Sequence, residues 1–132
     1  MSIDELIENF SFFENWEEKY QYVIDLGRKL EPLDEKFKTD EWKVKGCQSQ
    51  VWLVPHFAGG LLHFTGDSDA ILVRGIIAIV LLIYNDKTPQ EIKTIEVTKI
   101  FAKLGLEENL TPSRRNGMLS MVAKIKEYAD CK

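Results

Sequence analysis

Cysteine is scarce in this 132-residue chain, with Cys47 and Cys131 its only two. They form no CxxC pair, and no Cys/His cluster has zinc-ligand spacing, which excludes zinc ribbons and dithiol redox motifs. A disulfide between them is disfavoured in a reducing compartment. The terminal DCK lacks the four-residue prenylation pattern. Long apolar runs are missing too. The most apolar one, Ile76 to Tyr84, is far shorter than the roughly 20 residues that span a bilayer, and Arg74 stops its extension. The opening MSIDELIENF carries acids where a secretory signal needs bases. Cations are not clustered. The net charge is −4, and Arg114-Arg115 is the only adjacent arginine pair, a poor match for phosphate neutralisation. No repeat, low-complexity tract or linker divides the chain. The expectation is one domain, residues 1–132, cytoplasmic, with neither nucleic acid nor a membrane as partner.

What is present is patterned for helices around a small sheet. Ser2 with Glu5 reads as a capping box, followed by Leu6, Ile7, Phe10 and Phe13. Asn15-Trp16-Glu17-Glu18 repeats the start signal, and Trp16, Tyr20, Val23, Ile24, Leu26 and Leu30 keep a helical period until Glu31-Pro32. Residues 32–41 read as an irregular surface connection anchored by Leu33 and Phe37. Trp42 and Val44 open a short strand that Gly46 breaks. Val51 to Phe57 reads as a strand whose Pro55 marks an edge or a bulge. Ala58-Gly59-Gly60 turns the chain, and Leu61 to Thr65 returns. Gly66-Asp67-Ser68-Asp69 reads as a loop and an N-cap for the next helix, with Asp69 a candidate for the cap. Ala70 to Tyr84 is apolar nearly all round, as in a central buried helix. Thr88-Pro89-Gln90-Glu91 starts a helix pair that runs to Leu104 with a break near Ile95. Thr111-Pro112 starts the last helix, which presents Met118, Met121, Val122, Ile125 and Tyr128 on one face. The expected class is α+β: a small antiparallel sheet of about three strands packed against several helices.

Cys47 falls on the bend between two strand candidates, in Lys45-Gly46-Cys47-Gln48-Ser49-Gln50. A lone cysteine is often a small buried hydrophobe, but nothing adjacent here is apolar. Gly46 permits an unusual backbone angle, and a loop held by strands is where reactive side chains are displayed. Sulfur chemistry needs the thiolate. Lys43 and Lys45 either favour it electrostatically or are simply solvated. A thiol enzyme would need a base, and His56 and His63, which the turn makes cross-strand neighbours, are the only candidates. Without a base, a thiol still accepts and donates sulfur. Arg114, in the first turn of the last helix, opposes the helix dipole and calls for a paired acid or a functional anion.

The stretch Val44-Lys45-Gly46-Cys47-Gln48-Ser49-Gln50-Val51-Trp52 resembles the cysteine loop of SufE-type sulfur acceptors. Asn15-Trp16-Glu17-Glu18-Lys19-Tyr20, Gly66-Asp67-Ser68-Asp69-Ala70, Thr88-Pro89-Gln90 and Leu110-Thr111-Pro112-Ser113-Arg114 follow in that family's order. The resemblance implies the fold shared with IscU-type scaffolds. It implies that Cys47 takes sulfur from the persulfide of a cysteine desulfurase (SufS- or CsdA-like) and relays it to an iron–sulfur scaffold (SufBCD-like). The protein would then be an accessory that stimulates the desulfurase, not itself an enzyme. It would have no cofactor of its own and no metal, the pyridoxal phosphate belonging to the desulfurase. Gly46, Gln48, Ser49, Gln50, Asp69 and Arg114 would support the loop or meet the partner. Cys131 matches no motif of the family. A carrier must also shield its persulfide, so Cys47 is expected to turn inward beneath apolar side chains of the sheet and adjoining helices. Three alternatives stand beside this reading: a CsdE-like acceptor serving another desulfurase, a thiol enzyme using Cys47 with His56 or His63, and a binding module with a bystander cysteine.

Overall fold

The computed structural model describes residues 1–132. Helix α1 (Ile3–Ser11) starts where Ser2 Oγ accepts a hydrogen bond from the Glu5 amide at 3.2 Å. Helix α2 (Trp16–Gly27) starts on the Asn15 side chain in the same way. It ends earlier than the apolar period suggests, the chain tightening after Gly27 into three-residue turns from Lys29 to Leu26 and from Leu30 to Gly27, and Gly27 lies against the central helix α3 (Ile71–Tyr84). A Cβ built on Gly27 would fall 2.6 Å from the Gly75 amide, and one on Gly75 would fall 2.1 Å from the Val23 carbonyl. The two backbones therefore touch, and only glycine fits at either position.

Between α2 and α3 lies a hairpin of β1 (Val51–Ala58) and β2 (Leu61–Ser68), antiparallel with Val51 opposite Ser68 and Ala58 opposite Leu61. Gly59 and Gly60 both have positive φ, +60° and +80°, which suits a two-residue turn that follows the twist of the strands. The sheet has two strands, not the three expected. The Trp42–Val44 segment makes a single bridge, Lys43 to Trp52, through Val44 N–H to Val51 O and Leu53 N–H to Trp42 O. A turn at Thr39–Lys43 and the positive φ of Gly46 stop it from extending. On the other side, Asn85 to Lys87 covers the edge of β2. The Asn85 side chain bonds Phe64 N–H and O, and Leu62 bonds Asp86 and Lys87. Both edges are thus blunted against foreign strands. Pro55 sits on β1, which is an edge strand. Strand β2 also runs on through Gly66, Asp67 and Ser68, where a loop was expected. Gly66 permits this, since a Cβ there would crowd Leu53, the Trp52 carbonyl and Ile77 of α3.

The inner face of the hairpin, with Leu53, Leu62 and Phe64, packs into one core with α3, whose Ile76, Ile77, Ile79 and Val80 are almost fully buried. Each such side chain stabilises the fold by about 1.5–3 kcal/mol. The outer face is covered as well. Leu33, Trp52 and Val54 form a second small core, closed by Phe37 and Trp42. The irregular connection after α2, with its 3₁₀ turn at Glu35–Phe37, is therefore a lid over the sheet. Asp67 ties it down, with Lys38 Nζ at 3.1 Å and Arg74 Nε at 3.0 Å, although the Arg74 N–H is not aimed for a true hydrogen bond.

The remaining helices are α4 (Pro89–Thr94), α5 (Val97–Leu104), α6 (Leu106–Asn109) and α7 (Pro112–Asp130). Thr88 and Glu91 complete a reciprocal capping box at α4. The break before α5 falls at Ile95–Glu96, as the sequence pattern suggests. Gly105, left-handed at φ +70°, separates α5 from the short α6. Helix α7 is capped by Thr111 and buries Met118, Met121, Val122 and Ile125. The class is α+β, as expected. No helix is long and apolar enough to cross a membrane.

Candidate functional site

The cysteine loop leaves the Lys43 bridge and turns at Gly46, whose φ of +91° favours glycine. A Cβ there would also lie 2.7 Å from Ser120 Oγ on α7. The turn directs Cys47 inward. Its Sγ lies 3.7 Å from the Gly117 carbonyl of α7, within reach of a weak S–H···O bond. The thiol is half-buried, and burial raises its pKa. At neutral pH it therefore rests protonated. Lys45 is exposed and Lys43 partly so, and neither contributes to the shift. The expectation that they stabilise a thiolate gives way to the solvated reading.

Beside the sulfur is a cavity of about 250 Å³. Val73 and Ile76 of α3 and Met121 of α7 supply its apolar wall, while Gln48, Ser49 and Arg114 supply its polar rim. The cover over the thiol thus comes from two helices rather than from the sheet. Gly117 completes it by exposing its carbonyl, since a Cβ there would sit 3.5 Å from Sγ, in ordinary contact.

Polar bonds hold the rest of the loop. The Gln50 amide donates to Asp69 Oδ1 at 3.0 Å, and the Asp69 amide donates to the Gln50 carbonyl at 3.3 Å. This reciprocal pair extends the hairpin ladder by one step beyond Val51 and Ser68. Asp69 is therefore not the helix cap expected. The N-cap of α3 is Ala70, which makes no side-chain cap bond. Arg114 Nη1 donates to Ser49 Oγ at 3.4 Å and has no carboxylate partner. The structural ion pair weighed for it is absent, and its charge faces the thiol cavity. The structure thus gathers Gly46, Cys47, Gln48, Ser49, Gln50, Asp69 and Arg114 into one neighbourhood.

The histidines stand apart. They oppose each other on the hairpin, but His56 is exposed and contacts Thr65, while His63 contacts Asp86 and Glu31. Neither lines the cavity. His56 lies five residues beyond the start of β1, on the order of 17 Å along the strand. A Cys–His pair is not assembled. Cys131 is exposed at the end of α7, 14 residues or about 21 Å beyond Gly117 along the helix, too far to bridge Cys47. No group of three or more His, Cys, Asp or Glu side chains converges as a metal site would. Val73, Ile76, Gly117, Ser120 and Met121 were not expected at the site. Of these, Gly117 stood out in the sequence, because glycine inside a helix costs up to about 1 kcal/mol relative to alanine, although a Cβ there would make only ordinary contact with the sulfur.

A lone, covered thiol with no base beside it is suited to taking and giving sulfur rather than to hydrolysis. Three comparisons bear on this. The family model described as "SufE: Fe-S metabolism associated domain" matches residues 4–129. An uncharacterized SufE-like protein of Rhizobium etli is 48% identical over 132 residues, covering 97% of this chain and 89% of the relative. Another, of Rhizobium meliloti, is 47% identical over 133 residues, covering 98% and 95%. The solution structure of a hypothetical protein from Thermus thermophilus superposes with a TM-score of 0.78 at 17% identity, over 99% of this chain and 97% of that one, so the fold is shared. With the family model spanning nearly every element described and both relatives aligned across almost their full length, the chain belongs to the SufE family, whose domain is associated with iron–sulfur metabolism.

Proposed function

We propose that this protein accepts sulfane sulfur on Cys47 from a pyridoxal-phosphate cysteine desulfurase of SufS or CsdA type, stimulating that enzyme, and relays it to a SufBCD-like iron–sulfur scaffold. The Cys47 thiolate attacks the outer sulfur of the donor's persulfide. The donor's S–S bond breaks, its electron pair stays on the donor cysteine, which takes up a proton, and a new S–S bond forms on Cys47. Oxidation states are exchanged between the two cysteines, so no external oxidant is needed. Delivery to the scaffold repeats the step with Cys47 as donor.

The observation that carries this reading is the condition of the thiol: half-buried against the apolar wall of α3 and α7, in a loop whose flanks are tied by polar bonds to Asp69 and Arg114. Under cover, a persulfide is shielded from further oxidation. Transfer needs the loop to release Gln50 from Asp69 and Ser49 from Arg114, exposing the sulfur where water and the partner lower the cost of ionisation. Asp69 and Arg114 are positioning residues in this scheme, and Gly46 is the pivot.

Intact mass spectrometry after incubation with a desulfurase and cysteine tests the proposal. One added sulfur atom, reversed by a reducing thiol and mapped to Cys47, is expected in the native protein and in a His56→Ala/His63→Ala double variant. Cys47→Ser should take up none and should stimulate no desulfurase. Sulfur uptake by Cys47→Ser, or its loss in a histidine variant whose urea unfolding shows it to be folded, rules the scheme out.

A further inference from the structure

A second hollow in the molecule is larger than the thiol cavity. A groove of about 950 Å³ runs beside the C-terminal half of α3, with Leu26, Leu30, Leu81, Leu82, Ile95 and Ile100 among its walls. Glu31 and Asp86 stand on its rim, and His63 lies between them. His63 Nε2 is 2.9 Å from Glu31 Oε1, and Nδ1 is 3.0 Å from Asp86 Oδ1. A neutral imidazole has one N–H and one lone pair. With two ionised carboxylates at those distances, one nitrogen would present its lone pair to a carboxylate oxygen. Only the imidazolium satisfies both.

From this geometry we propose that His63 is a proton-operated clasp on the groove: charged, it ties the connection after α2 to the turn after α3, and neutral, it releases Glu31. The two carboxylates are not equally free. Asp86 is locked to β2 by its amide bond to the Leu62 carbonyl at 2.8 Å and by the neighbouring Leu62–Lys87 bond at 2.9 Å. Glu31 is largely exposed and has no other side-chain bond. Its contact is the one that opens. Since Lys29, Leu30 and Glu31 all wall the groove, its mouth widens when they are released.

The charged and titratable groups about His63 are Glu31 and Asp86 in contact, His56 opposite on β1, and Lys29 and Lys87 along the rim. Burial works against the charged ring, but the bonds from Asp86 and Glu31 outweigh it, and the net shift is upward. The folded ring thus holds its proton more tightly than the unfolded one. The clasp's stabilisation is fully present below the ordinary histidine value of about 6.5 and is lost as pH rises through the higher folded value.

The test is nitrogen NMR and amide hydrogen exchange on the full chain, comparing the native protein with Glu31→Gln, Asp86→Asn and His63→Gln at matched pH. Asparagine tolerates the left-handed backbone of residue 86, where φ is +61°, so that variant should fold even if His63→Gln does not. Both ring nitrogens of His63 should be protonated near pH 6, with titration above the ordinary value and lowered in both carboxylate variants. The Arg28, Lys29 and Leu30 amides, which bond the Ile24, Leu26 and Gly27 carbonyls, should be about tenfold better protected in the native protein than in His63→Gln at pH 6, with the ratio falling toward one at alkaline pH. Titration at or below the ordinary value, a titration unmoved by Glu31→Gln and Asp86→Asn, or a protection ratio independent of pH overturns the clasp.

Discussion

Two irregular stretches flank Val44, and they are held in opposite ways. Residues 33–42 have little regular structure, yet Leu33, Phe37 and Trp42 close a small core against Trp52 and Val54. Residues 45–50 also lack regular structure and are fixed by the Gln50–Asp69 pair, the Ser49–Arg114 contact and the weak sulfur bond to Gly117. Apolar anchors have no substitute in water. Polar bonds do, so a polar-held loop can let go at small net cost. The first stretch is architecture, and the second is suited to move.

Breaking the anchored stretch should have the largest effect. Trp52→Ala removes the centre of the outer core and should cost about 3–5 kcal/mol in urea unfolding, while thiol chemistry persists in whatever protein folds. Gly46→Ala strikes the pivot of the polar-held loop. The positive φ and the contact with Ser120 should together cost about 1–3 kcal/mol, and alkylation of Cys47 should quicken as the loop is forced outward. Asp69→Ala and Arg114→Ala should each cost about 1 kcal/mol or less, being at or near the surface, yet each should raise the alkylation rate several-fold. Equal alkylation in all three loop variants and the native protein would erase the distinction between the stretches.

The smallest effect sharpens the comparison. Gly117→Ala should be tolerated or should stabilise by up to about 1 kcal/mol, while slowing alkylation, because its methyl adds cover to the sulfur. The pH dependence separates cover from charge. Burial raises the Cys47 pKa, so the stabilisation of the folded thiol holds below the unfolded value and fades as pH rises through the folded one. The alkylation midpoint of the native protein should therefore lie above that of a short peptide containing the same loop. A lower midpoint would mean that cations rather than burial govern the sulfur.

Four helices were legible because their starts are written locally: Ser2, Asn15, Thr88 and Thr111 each cap the helix that follows, whereas the short α6 had no such signal and was not expected. The hairpin was legible from Gly59-Gly60 and the β-branched and aromatic residues on either side of them. The lid over the outer face was not, because Leu33 and Phe37 follow neither a strand nor a helix period, Trp42 reads as the start of a strand, and their shared purpose appears only against Trp52. Asp69 misled for a related reason. An aspartate just before a helix reads as a cap, whereas here the preceding strand claims it. At the site, the polar neighbours of Cys47 marked a displayed loop. The covering side chains came from α3 and α7, some 26 to 74 positions later, where no local pattern points back to position 47.

The Gly27–Gly75 seam has a consequence for where motion occurs. Where Gly27 and Gly75 cross, the backbones of α2 and α3 touch, and sliding one helix would drive backbone into backbone. This seam makes the helical pair an anvil: under the proposed scheme, a partner pressing on the thiol face would meet a support that does not yield, and the displacement would be spent in the six residues of the loop.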